Sequence, residues 1–155
     1  MKMNVKLLFV AAFLLSMAGC KSQKEASAIP IKDFPSIENI LSMQAPSEIN
    51  YKGQKGNFEI LEKRQDGPFL MVKLVYSGGC NEHFFEASWD GNYMKSLPPQ
   101  VNVTLTHVNN DDACRERIEK EVAIDLRKLF LNTPNDVFLI LNGDAGDRLL
   151  VSPQE

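Results

Sequence analysis

The sequence is poor in the residues that most often announce chemistry. In 155 residues it has two histidines, His83 and His107, three cysteines, Cys20, Cys80 and Cys114, and one tryptophan, Trp89. No G-x-S-x-G elbow, H-E-x-x-H zinc helix or phosphate-cradling glycine loop occurs, which removes the common signatures of α/β hydrolases, zinc proteases and nucleotide binders. Nor is there an apolar run of the roughly 20 residues that a transmembrane helix needs. The formal net charge is −3 and no block of like charge is present. The basic footprint expected of a nucleic-acid partner is therefore missing. Strand-like stretches do not alternate with helical ones, which argues against a doubly wound nucleotide fold.

What is present begins at the N-terminus. Lys2 and Lys6 form a short positive segment, and Leu7 to Met17 reads LLFVAAFLLSM, the length of a signal-peptide core. The run ends in Met17-Ala18-Gly19-Cys20, which resembles the lipobox of bacterial lipoproteins, with Met17 where leucine is commoner. That resemblance implies diacylglycerol on the Cys20 thiol, cleavage before it, and acylation of the new amino terminus. Two or three acyl chains, at about 0.8 kcal/mol per buried methylene, anchor a protein stably. Residues 1–19 are thus expected to be a signal peptide and the membrane to be reached through lipid on Cys20. Loss of Lys2 and Lys6 takes the net charge to −5.

Residues 20–50 have the composition of a flexible tether, and KSQKEASAIP lacks any periodicity. Lys21, Lys24 and Glu25 are similar to the export tracts of surface lipoproteins in Bacteroidetes-type bacteria, and equally to a solvated linker. The expected address is the cell envelope, on the periplasmic face or the cell surface. Ile37, Ile40 and Leu41 form a stripe that allows one short N-terminal helix over Pro35–Leu41.

Three cysteines are an awkward number for an exported chain. With Cys20 given to lipid, Cys80 and Cys114 remain and can pair, the default in an oxidising compartment. Closing that loop removes unfolded-state entropy worth at most about 4 kcal/mol.

From residue 51 to 155 the pattern is period two. Phe58 and Ile60 alternate with polar neighbours, and Leu70, Val72, Leu74 and Tyr76 share one phase. Phe85, Ala87 and Trp89 form another run, followed by Val101, Val103 and Leu105, then Ile118, Val122, Ile124 and Leu126 interrupted by Lys120. Val137, Leu139 and Leu141, and finally Leu149 with Val151, close the series. Residues 113–121 also fit a helical turn. Turn signals such as Asp66-Gly67-Pro68, Ser77-Gly78-Gly79 and Asp90-Gly91-Asn92 separate the runs. The expectation is an all-β domain, an antiparallel sandwich or small barrel of about seven to eight short strands.

The chemistry-bearing residues gather in two segments, Gly78-Gly79-Cys80-Asn81-Glu82-His83 and His107-Val108-Asn109-Asn110-Asp111-Asp112-Ala113-Cys114. Three accounts fit them. Cys80 and Cys114 form a disulfide, with the histidines and Asp112 as hydrogen-bonding residues beside it. Alternatively, Cys80, His83, His107 and Cys114 make a Cys2His2 zinc site, which needs reduced thiolates. In the third account the disulfide forms while His83, His107 and Asp112 hold zinc or another imidazole-preferring ion. A cysteine nucleophile would need a free thiol, which pairing removes. A histidine general base remains open, and a hydrolase built on it predicts a concave site.

Other features have simpler readings. The oxygen-rich Asn142–Asp147 segment lacks the EF-hand pattern and suits a hairpin turn. Trp89 and Tyr93 are able to stack on a sugar, but the phase of Trp89 with Phe85 and Ala87 suits the core better. The Gly-Gly-Cys-x-x-His and His-x4-Asp-x-Cys arrangement, over residues 76–129, resembles a group of uncharacterised bacterial exported proteins and lipoproteins. The resemblance implies a shared β domain with a linked cysteine pair and supplies no catalytic residue. The sequence thus points to a non-enzymatic, lipid-anchored binding or structural module without cofactor, whose partner is an unknown protein or small molecule. Zinc at His83, His107 and Asp112 is the second reading and hydrolysis the third.

Overall fold

Alternation from Phe58 onward produces strands because one face of each must be buried. The computed structural model describes residues 39–49, 53–133 and 135–154. The expected signal peptide, Cys20 and the first part of the tether lie outside the described residues. Eight strands form: β1 (Ile40–Gln44), β2 (Phe58–Asp66), β3 (Phe69–Gly78), β4 (Phe84–Ser88), β5 (Gln100–Val108), β6 (Glu116–Asp125), β7 (Val137–Leu141) and β8 (Leu149–Val151). They join one sheet in the order β2-β3-β6-β1-β4-β5-β7-β8. Short 3-10 turns lie at Pro46–Glu48, Arg127–Phe130 and Ala145–Asp147, and Asn39, just before β1, is also in 3-10 conformation. No helix of the described residues is long and apolar enough to cross a membrane.

The all-β expectation holds, as a small, nearly closed barrel, but two details differ. The sheet is mixed: β1 runs parallel to both β6 and β4, and β5 runs parallel to β7. Ile40 and Leu41, read as part of a short helix, instead enter β1 in the middle of the sheet, and the part of that stretch before Asn39 lies outside the described residues. A five-residue apolar segment has no helix-forming length of its own, so tertiary pairing decides its state. The stretch 20–50, expected to be a tether, therefore contains the strand β1. Of residues 113–121, for which a helical turn was the alternative, 116–121 are strand and 113–115 have no regular structure.

The inward residues are those whose phase the sequence marked. Leu70, Val72, Leu74, Val101, Val103, Leu105, Val122, Ile124, Val137, Leu139 and Val151 are all buried in one core with Met43. Trp89 packs partly buried against the same core, and its indole N–H donates to the Asn92 carbonyl.

The seam between the outer strands closes at both ends. A β-bulge between Ile60 and Glu62 shifts the phase of β2, so that Lys63 opposes Val72 and Gln65 opposes Leu70. Such a one-residue insertion exchanges the two faces of a strand. It turns Lys63 and Gln65, not Glu62 and Arg64, toward β8. The Gln65 amide donates to the Ser152 carbonyl at 2.7 Å and accepts from the Ser152 N–H at 2.9 Å, standing in for a ladder pair. Lys63 is bound by the Asp147 carboxylate at 2.8 Å. At the other end, Gly56 N–H donates to the His107 carbonyl and Asn109 N–H to the Gln54 carbonyl, so the segment before β2 pairs with the end of β5.

Candidate functional site

Both histidines lie at this closed end, and the structure brings together the two segments that the sequence singled out. His107 is the eighth residue of β5, in phase with Leu105, and is 1% exposed. His83 immediately precedes β4 and is also buried. Cys80, two residues after β3, and Cys114, two residues before β6, form a disulfide with their Cα atoms 5.8 Å apart. Since Gly78 and Glu116 are register partners, the bridge extends the β3–β6 ladder past its last pair.

A linear chain of hydrogen bonds runs through the two rings. Asp112 Oδ2 lies 3.0 Å from His83 Nε2, His83 Nδ1 lies 2.7 Å from His107 Nε2, and His107 Nδ1 lies 3.2 Å from the carbonyl oxygen of Asn57. The imidazoles meet edge to edge, with centroids 4.9 Å apart and planes 21° from parallel. Both ends of the chain are acceptors when Asp112 is ionised, so three links need three ring protons. Two neutral imidazoles carry only two. The fully bonded chain is therefore an imidazolium–imidazole pair facing a carboxylate.

Asp112 organises the surrounding loops. Its Oδ2 also accepts from the N–H groups of Cys80 and Asn81, each at 2.9 Å, and its Oδ1 accepts from Cys114 N–H at 2.8 Å. Its side chain is wholly enclosed. The Asn81 N–H, then the His83 ring, then the Cys114 N–H hold its carboxyl far below the usual carboxylate range. Burial pushes His107 below the ordinary imidazole value, against the pull of the Asn57 carbonyl.

Aromatic rings complete the box. Phe85 stacks on His107 at 4.7 Å with planes 7° apart, and Tyr76 lies 4.7 Å from His83 and 4.8 Å from His107. Two glycines admit the rings. A Cβ on Gly56 would overlap the His107 imidazole, and one on Gly78 would overlap that of His83. Gly78 stood in the sequence only as a turn signal. Gly56 and Asn57 carried no signal at all, because one acts through a missing side chain and the other through its backbone.

Each account of the cluster can now be placed. With their sulfurs bonded to each other, Cys80 and Cys114 offer no thiolate to the Cys2His2 account. Cys80, Asp112 and Cys114 do lie within 4.8 Å of one another, but only Asp112 offers an ionised ligand there. His83, His107 and Asp112 are adjacent and joined by hydrogen bonds. A cleft touches the site between β1 and β4, lined by Asn39, Leu41, Glu82, His83, Phe84, Phe85, Lys120 and Val122. That lining contains no hydroxyl or thiol nucleophile.

Fold and site together define a class: a small, nearly closed all-β barrel with a disulfide and a buried histidine pair at one end. No family model matches the chain, and neither does any curated protein. Among solved structures it is similar to a putative toxin-related protein from Parabacteroides distasonis, with a TM-score of 0.50 and 16% identity over 73% of this chain and 61% of that one. It also resembles a protein of unknown function from Bacteroides vulgatus, with a TM-score of 0.48 and 13% identity over 75% and 56% of the two chains. A third is a NigD-like immunity protein from Bacteroides caccae, with a TM-score of 0.48 and 15% identity over 73% and 57%. The chain thus spans about three-fifths of the length of the first of these. At such identities the likeness concerns the fold alone.

Proposed function

We propose that this protein is an exported, lipid-anchored envelope protein whose barrel is a non-enzymatic binding or structural module. The observation that carries the reading is the self-sufficiency of the buried cluster of His83, His107 and Asp112. All four ring nitrogens of His83 and His107, and both oxygens of Asp112, have partners inside the protein. A catalytic base needs a ring nitrogen within reach of a substrate proton, and these nitrogens are committed elsewhere. The disulfide supports export, since such bridges persist in oxidising compartments. Zinc at His83 and His107 requires a lone pair from each ring at about 2.0–2.1 Å. It would have to break the 2.7 Å contact between His83 Nδ1 and His107 Nε2.

Non-reducing intact-mass spectrometry of the native protein, beside a Cys20→Ala variant, tests the reading. The expected result is a mass with residues 1–19 removed, acyl chains present, two hydrogens missing for the bridge and no retained metal. The variant should lack the acyl mass. An unmodified amino terminus with two free thiols would overturn it, and stoichiometric zinc lost on His83→Ala would establish the metal reading instead.

A further inference from the structure

Two lysines turn toward the barrel interior, and among the described residues only one of them has a counterion. Lys63 opposes inward-facing Val72 and is bound by the Asp147 carboxylate at 2.8 Å. Lys120 lies on β6 in phase with Ile118 and Val122, both of which pack in the core, and it opposes Leu74, which is fully buried. Its ammonium stands 5.8 Å from the centroid of the Phe85 ring. Among the described residues Lys120 forms no ion pair, whereas Lys63 and Lys73 both do. A cation on the inner face of a sheet is costly unless something neutralises it. A lysine there breaks the alternation that the rest of the strand obeys, and such breaks concentrate at functional positions.

The backbone supplies space beside it. β1 pairs with β6 through Ile40, Leu41 and Ser42, but with β4 only through Met43 and Gln44. The two strands therefore splay toward their N-terminal ends, leaving Phe84, Phe85 and Glu86 without a β1 partner. The resulting cleft holds about 260 Å³. Leu41, Val122, Phe84 and Phe85 are the apolar part of its lining, Lys120 supplies the inner positive charge, and exposed Glu82 with Asn39 and His83 complete the polar part.

We infer that this cleft binds a small carboxylate with an apolar body, the carboxylate neutralising Lys120 and the body packing on half-buried Leu41 and exposed Phe84. Its lining pairs polar with apolar residues in equal number, which suits a ligand that has a charged end and an apolar body. The inference rests on the reading of the barrel as a binding module and is independent of the lipid on Cys20.

The full-length, oxidised protein is tested with 3-phenylpropanoate and its neutral amide at millimolar concentrations, by saturation-transfer NMR and competition titration. The acid should bind about tenfold more tightly than the amide, a difference expected of one partly desolvated ion pair. Lys120→Met keeps the length of the side chain and removes the charge. It should abolish the preference while leaving the protein folded, with an unchanged or higher Tm. Equal binding of acid and amide, no binding of either, or a preference that survives in Lys120→Met would each overturn the proposal. None of these outcomes alters the acylation measurement, so the two readings fail separately.

Discussion

Asp112 joins two loops, the one between β3 and β4 and its own between β5 and β6, through one carboxylate. The N–H groups of Cys80, Asn81 and Cys114 and the His83 ring all bind the ionised form, so the folded state holds its proton more weakly than the unfolded chain does. For a depressed carboxyl the stabilisation is complete above the unfolded value, here 3.8, and is withdrawn as the pH falls below it toward the folded value. The urea midpoint of the wild type should therefore fall as the pH is taken from about 5 to about 2, and the fall should be shallower in Asp112→Asn. Equal slopes in the two proteins would show that Asp112 does not carry this dependence. At this scale the site was half legible. The scarcity of histidine and cysteine made His83, His107, Asp112 and the disulfide pair visible as a group. The Asn57 carbonyl lies 50 residues from His107 and contributes no side chain. Gly56 and Gly78 matter only because of the rings that the fold presses against them. Lys120 was visible as an interruption in a strand, but its meaning depends on the splay between two strands that are far apart in sequence.

The strands themselves were written in period two, and most appear where the alternation placed them. What alternation does not encode is direction or neighbour. β1 inserts between β6 and β4, parallel to both, and neither its five residues nor their order could announce that. The closing seam was hidden for a related reason: Gln65 and Lys63 read as ordinary polar residues until the bulge at Leu61 reverses their face. Gln65 then supplies two hydrogen bonds to the backbone of Ser152, one as donor and one as acceptor. Gln65→Ala should cost about 3 kcal/mol, the net worth of these two bonds and a third that the amide donates to the Gly67 carbonyl, with Gln65→Glu intermediate because only the acceptor remains. Urea unfolding measures this directly. If Gln65→Ala unfolds at the wild-type midpoint, the amide is a bystander and the seam is held elsewhere.

The molecule as a whole has a connection problem that the disulfide addresses. β3 and β6 are antiparallel neighbours through ten register pairs, yet the chain between them leaves to build β4 and β5 on the far side of β1. Cys80 and Cys114 sit at the two ends of that excursion, 34 residues apart in sequence. Pairing strands across such a loop requires its closure entropy before any contact repays it, and sheets dominated by non-local pairs fold slowly for this reason. A bridge present in the unfolded chain removes that cost in advance, worth up to about 4 kcal/mol. If β3–β6 pairing forms early, the gain appears in the folding rate; if late, in the unfolding rate. The bridge lies at the end of the longest ladder in the sheet, which favours the early case. Oxidised wild type should therefore refold faster than a Cys80→Ala/Cys114→Ala variant, with most of the stability difference in the folding limb of the chevron. A variant that refolds at the wild-type rate and merely unfolds faster would mean that the β3–β6 ladder assembles after the rate-limiting step, and that insertion of β1 comes first.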